Sequence, residues 1–192
     1  MKTAEDKNVF RNSETRYGVI AKSFHWLMAI MIIAIFALGL YMVDLSYYDR
    51  WYKDSLEIHK STGLLIAFLW LLRLAWKKVN NTPKALSLHR WEIKIAHLAH
   101  FGLYTLILLI CVSGYLISTA DGDGISFFAL FDVPATLTGE NQEDTAGLIH
   151  KYLAWALIAL VVLHIAGALK HHVVDKDDTL RRMIPFGRTS RD

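Results

Sequence analysis

Long apolar blocks alternate with shorter polar connections along this chain. Four blocks stand out: FHWLMAIMIIAIFALGLYMV (24–43), IHKSTGLLIAFLWLLRLAW (58–76), IAHLAHFGLYTLILLICVSGYLIS (95–118) and GLIHKYLAWALIALVVLHIAGALK (147–170). A helix needs about 20 apolar residues to cross a bilayer. The pattern therefore predicts an all-α membrane four-helix bundle of up-down-up-down topology, a single domain over residues 1–192. The opening stretch MKTAEDKNVFRNSETRYGV has no apolar core, so no cleavable signal peptide is expected and the first span serves as its own insertion signal.

Composition agrees with that pattern. Of 192 residues, 54% are hydrophobic and only three are proline, with a mean hydropathy of +0.29. Five Lys or Arg precede the first block, 5 lie in 77–94 and 6 follow from Lys170 onward, 16 of the chain's 21. The other side holds Arg50, Lys53, Lys60 and Lys151, and Arg73 lies inside the second block. Basic residues stay on the cytoplasmic side of a membrane, so both termini are expected inside and the connections 44–57 and 119–146 outside. The formal net charge of +3 is then a matter of topology, with no basic surface for nucleic acid. Cys111 is the sole cysteine, which excludes an internal disulfide and fits a small core residue.

Histidine changes the picture. An ionisable ring in a membrane helix is costly and faces the bundle interior. With the termini inside, His59 and His150 fall near the outer surface, and His25 and His164 near the inner one. Two pairs at two depths fit two metal centres stacked across the membrane. His150 and His164 are 14 residues apart, about 21 Å along a helix and on nearly the same face. The same step carries His25 to Gly39, His59 to Arg73 and His100 to Gly114. Glycine would let the edge of a flat macrocycle approach a helix, a clearance that Gly63 and Gly167 also offer one turn from His59 and His164. Arg73 would pair with a carboxylate such as a haem propionate.

Imidazole also suits zinc and copper, but such sites usually recruit thiolate or carboxylate as well, and the spans hold no Asp or Glu except Glu92 at a margin. Haem iron is the better match. No C-x-x-C-H occurs, so the haem would be non-covalent, of b type. Histidine on both axial positions favours electron transfer over oxygen binding. A lone membrane histidine serves as readily in a helix–helix hydrogen bond; four at matched depths favour ligation. His97 and His100 share the inner depth, and spacing alone does not exclude them as ligands. His171 and His172 fall at the inner interface, where a solvated helix end is the simpler reading. His89 lies in a loop and is assigned no role. Trp26, Trp51, Trp76 and Trp91 read as interface anchors.

The segments RYGVIAKSFHWLMA (16–29), LEIHKSTG (56–63), AHLAHFGLY (96–104), LIHKYLAW (148–155) and HHVVDKDDTLRRMIP (171–185) together resemble the bacterial cytochrome b561 family over nearly the whole chain. The resemblance implies a four-helix, di-haem protein of the bacterial inner membrane. It implies ligation of two haem b by His25, His59, His150 and His164, the outer haem on His59/His150 and the inner on His25/His164. It also implies electron transfer linked to ubiquinone. Some members of the family look like superoxide oxidases, taking an electron from superoxide outside and reducing ubiquinone in the membrane. The wider superfamily includes cytochrome b subunits that relay electrons between a partner redox protein and quinone.

Charge bears on the outer donor. Superoxide is an anion and would be steered by positive potential. The 119–146 connection carries six acids and no Lys or Arg, and 44–57 carries Asp44, Asp49, Asp54 and Glu57 against Arg50 and Lys53. Only Lys60 and Lys151, each next to an outer histidine, place a cation at that level, where they would steer the anion locally; lipid snorkelling or propionate pairing are equally weighted roles for both. Reduction of quinone consumes protons, and the inner level offers more donors. Quinone is therefore expected there, with Ser23 and His171 as contacts. A transporter relaying metal ions through the histidines is the alternative from another class, and the lack of a haem Soret band would reveal it.

Overall fold

The computed structural model describes residues 9–87 and 89–184. The orientation count above includes Lys2, Lys7, Arg188 and Arg191, and the last resembling segment includes Pro185; all five lie outside the described residues. The four blocks form helices α1 (Val19–Met42), α2 (Tyr52–Val79), α3 (Arg90–Ser118) and α4 (Gln142–Val173). All four are long and apolar enough to cross a membrane. Large apolar side chains such as Phe68, Leu98, Phe101 and Leu163 stay exposed on the outside of the bundle, a surface that lipid satisfies and water does not. The chain is a multi-pass membrane four-helix bundle.

All four helices begin five or six residues before their apolar blocks. α2 starts six residues early and α4 five, with Asp54 and then Glu143 and Asp144 in their first turns. Acidic residues there face the positive end of the helix dipole. The 32 residues of α4 reach about 48 Å, well past the hydrocarbon layer.

Neighbouring helices pack in the order α1–α2–α3–α4, and the α1–α4 seam is the loosest of the bundle. The buried apolar core is a thin layer of Met28, Ile32, Ile66, Ile107 and Leu157. Its register is informative. Ile32 is seven residues from both His25 and Gly39, and Ile66 from both His59 and Arg73. Ile107 is seven from His100 and Gly114, and Leu157 seven from His150 and His164. Seven residues advance about 10 Å and return within about 20° of the same face. The core is therefore a septum halfway between two levels of inward-facing residues, one from each helix.

One end of the bundle is tied down by the stretch that follows α4. The indole of Trp26 donates to the Met183 carbonyl at 2.8 Å, Lys22 donates to that of Ile184 at 3.2 Å, and Arg182 donates to that of Lys84 at 2.8 Å. Lys84 also meets Glu14 at 2.6 Å, which holds that carboxyl below its usual range. The stretch before α1, the stretch around Arg182 and the α2–α3 connection thus lie together and define the terminal end of the bundle.

The opposite end carries an antiparallel hairpin, β1 (Ile125–Phe127) and β2 (Phe131–Val133), within the 119–146 connection, where no apolar block predicts a regular element. Its turn places Phe128 (φ 49°) and Ala129 (φ 57°) in the left-handed region, where Gly or Asn is the usual choice. Ser61, 2% exposed, anchors it: the hydroxyl donates to the Ser126 carbonyl at 3.1 Å and accepts from the Phe128 N–H at 3.0 Å. Ser61→Ala leaves both backbone groups short of a partner, at roughly 1–3 kcal/mol each. The expected result is a lower unfolding midpoint and faster proteolytic cleavage within 125–133. Unchanged cleavage would show that the hairpin is held by other contacts.

A candidate two-level histidine site

The positions flanking the septum gather into two rings. At the hairpin end stand Gly39, His59, Gly114 and His150; at the terminal end, His25, Arg73, His100 and His164. The rings of His59 and His150 face each other with centres 6.2 Å apart and planes inclined by 64°, although α2 and α4 are diagonal in the bundle. At the other level His25 and His164 face across the loose α1–α4 seam at 6.3 Å and 65°.

These separations have a simple meaning. A metal–imidazole bond is about 2 Å, and a ring nitrogen lies about 1 Å from its ring centre, so one ion between two facing imidazoles holds the centres about 6 Å apart. Neither ring of four contains a carboxylate or thiolate, a donor set that would suit the iron of a b haem.

Further contacts test the fit. The Nδ1 of His150 lies 3.0 Å from the buried hydroxyl of Ser113. The Nδ1 of His59 is buried with no hydrogen-bond partner among the described residues. A Cβ added at Gly39 would stand 3.2 Å from the His59 ring, and one at Gly114 3.1 Å from that of His150. What these two glycines make room for in this structure is the imidazole itself. A Cβ at Gly63 meets only Ile35 at 3.9 Å, and one at Gly167 meets nothing within 4 Å.

At the terminal-end level the arrangement is richer. Arg73 places Nη2 3.3 Å from Nδ1 of His25 and its guanidinium 5.5 Å from the centre of the Tyr104 ring. A guanidinium only donates, whereas a histidine that binds metal through Nε2 carries its proton on Nδ1. The two are compatible only if Arg73 turns to another acceptor when a group is held there. His100 donates Nδ1–H to the Ala96 carbonyl at 2.7 Å, and its ring centre is 5.1 Å from that of His164, closer than one ion between two opposed imidazoles would hold them. His97 and His100 instead line a groove of about 310 Å³ between α2 and α3, with Lys77 and Tyr104.

The remaining sequence candidates are dispersed. Lys60 is half-buried and Lys151 exposed, and neither enters an ion pair among the described residues. Arg50 and Lys53 lie over the rings of Trp51 and Tyr47, at 5.7 and 5.8 Å. Ser23 is exposed and makes no hydrogen bond to His171. His171 holds Asp177 at 2.8 Å and Asp175 at 3.0 Å. Glu92, His171 and Asp175 could together ligate an ion, but the Lys170 ammonium already pairs with Glu92 and Asp175. Sequence reasoning missed Ser113, and the hint available was its place directly before Gly114.

Comparison with known proteins agrees with this architecture. The family description "Prokaryotic cytochrome b561" matches residues 16–186. The chain is 49% identical over 185 residues to cytochrome b561 homolog 2 of Escherichia coli (strain K12), covering 95% of this chain and 97% of that protein. It is 29% identical over 175 residues to a probable superoxide oxidase CybB of Yersinia pestis, covering 90% and 98%. Cytochrome b561 homolog 1 of Escherichia coli (strain K12) is 32% identical over 132 residues, covering 67% and 74%. With four membrane helices around two histidine levels and a family match over nearly its whole length, the chain belongs to the prokaryotic cytochrome b561 family of b-haem membrane electron-transfer proteins.

Proposed function

We propose that the chain holds two b haems and carries electrons across the bacterial inner membrane between an outer donor, superoxide, and quinone. The observation that carries this reading is the pair of facing histidines at each level, with ring centres 6.2 and 6.3 Å apart. His59 and His150 hold the outer haem, and His25 and His164 the inner, with both termini cytoplasmic. When bound, each haem supplies a one-electron carrier with no open coordination position. Arg73 answers an inner propionate, Gly39 and Gly114 make room for the imidazoles of His59 and His150, and Gly63 and Gly167 keep the helix surface beside their levels clear.

The outer face sets the donor. Lys60 and Lys151 follow the outer ligands directly, and with no ion pair among the described residues they leave their positive field to an incoming anion. Two superoxide anions give up one electron each and leave as dioxygen; one quinone takes the two electrons with two protons. The name carried by the 29%-identical relative supports this donor. The terminal end sets the acceptor. His171, backed by Asp175 and Asp177, is placed to deliver protons, with Ser23 as a second contact. The groove bordered by Lys77, His97, His100 and Tyr104 gives a lipid-soluble ring a place to lie at this level.

The test is a spectrum of the purified protein, followed by reduction with superoxide and reoxidation with a quinone analogue. A Soret band that responds to both is expected. Absence of the band, or a band inert to both reagents, would overturn the reading. His171→Ala is expected to slow reoxidation about tenfold or more while leaving haem content and donor-side reduction unchanged. Unaffected reoxidation there, with loss on changing Lys60 and Lys151, would move the quinone to the outer side.

A second reading rests on the six acids of 119–146, which no Lys or Arg in that connection offsets. That surface suits a basic redox protein as the outer donor, and co-purification of such a partner would favour it over superoxide.

A further inference from the structure

Ser113 lies on α3, one residue before Gly114, and its side chain is 5% exposed. Its Oγ is 3.0 Å from the Ile110 carbonyl and 3.0 Å from Nδ1 of His150. A hydroxyl has one hydrogen, and a carbonyl can only accept. When the hydrogen goes to Ile110, the serine oxygen accepts from His150, which is the role required by an imidazole that binds metal through Nε2. His150 then carries its proton on Nδ1, and the neutral ring leaves Nε2 bare. Nothing equivalent exists across the pair, where Nδ1 of His59 has no partner among the described residues.

We propose that Ser113 is a positioning residue for the hairpin-end redox centre: it fixes the His150 tautomer and orientation, and it strengthens Nε2 as a donor to the metal. The proposal rests on the reading of His59 and His150 as ligands of one haem. A hydrogen bond accepted from Nδ1–H raises the basicity of a ligating imidazole. A more basic ligand favours the oxidised, more highly charged metal. Ser113 thus holds the potential of this centre down, and through one side of the pair only.

A redox titration of the haem-loaded protein, followed with the low-spin ferric EPR signals, tests this. Ser113→Ala is expected to raise one of the two potentials by about tenfold in the reduced-to-oxidised ratio, about 59 mV for one electron, and to leave the other in place. Ser113→Thr keeps the acceptor and should stay at the wild-type value. Ser113→Cys keeps the volume with a weaker acceptor and should fall between. Unchanged potentials in the alanine variant, or equal shifts with alanine and threonine, overturn the proposal. If the alanine variant does not assemble, an unshifted cysteine variant overturns it alone. Failure of the underlying ligand reading looks different, because His150→Ala would then retain both haems.

Discussion

His59→Ala and His150→Ala are each expected to remove one b haem and leave the other, halving haem per protein. His25→Ala and His164→Ala are expected to do the same at the opposite level. Each ring pair is spaced for one ion, so neither partner has a substitute within its own level at the hairpin end, where the other two positions are Gly39 and Gly114. Loss of one pair should not disturb the other. The septum of Ile32, Ile66, Ile107 and Leu157 stands between them, and the levels are about 21 Å apart. The terminal-end level carries the sharper test, because His100 lies 5.1 Å from His164. If His100→Ala strips a haem while His25→Ala does not, His100 is the ligand and the assigned inner pair is wrong. Haem-to-protein ratio and the number of waves in a redox titration distinguish these outcomes.

The two levels are legible in the sequence because helix geometry repeats faithfully over fourteen residues. An ionisable ring costs too much in lipid to be placed without a partner. What chemistry stands at each depth is therefore a property of each helix alone. Which side chain faces which is not. Ser113 looks like any serine in an apolar helix, bonding back to the carbonyl three residues before it. Its second role depends on α4 presenting His150, a fact of packing. The hairpin is hidden for a related reason. Phe128 and Ala129 are poor turn residues, and the turn is held by Ser61, 65 and 67 positions away from its two bonding partners. The tie of Trp26 to Met183 spans 157 positions and leaves no local pattern. Gly39 and Gly114 are legible as sites of close approach, but the imidazoles that approach them come from neighbouring helices.

Arg73→Leu should lower the potential of the terminal-end haem or its retention, and leave the other centre unmoved. Arg73 is half-buried at the level of His25 and His164 and has no carboxylate partner among the described residues. Its company is cationic and aromatic. Lys77 lies 4.9 Å from the centre of the same Tyr104 ring that Arg73 covers. Burial pushes the Tyr17 hydroxyl above its ordinary range, against the pull of Arg182 and Arg73 nearby. A cation kept at this depth without a counter-ion points to a bound anion as its partner, and haem brings two propionates. Breaking a fully buried pair costs about 3–5 kcal/mol. Partial exposure of Arg73 reduces that to about 1–3 kcal/mol, a factor of roughly ten or more in retention. Removing a positive charge disfavours the added electron, so the potential falls, opposite in sign to Ser113→Ala and in the other wave. Arg73→Lys keeps the charge without the fork and should recover part of the loss. The two levels share no side chain, so the double variant Ser113→Ala/Arg73→Leu should show both shifts undiminished, additive within about 0.5 kcal/mol. An Arg73→Leu protein whose terminal-end wave stays in place would exclude the propionate contact. A double variant whose shifts cancel in one wave would mean that both residues act on the same haem.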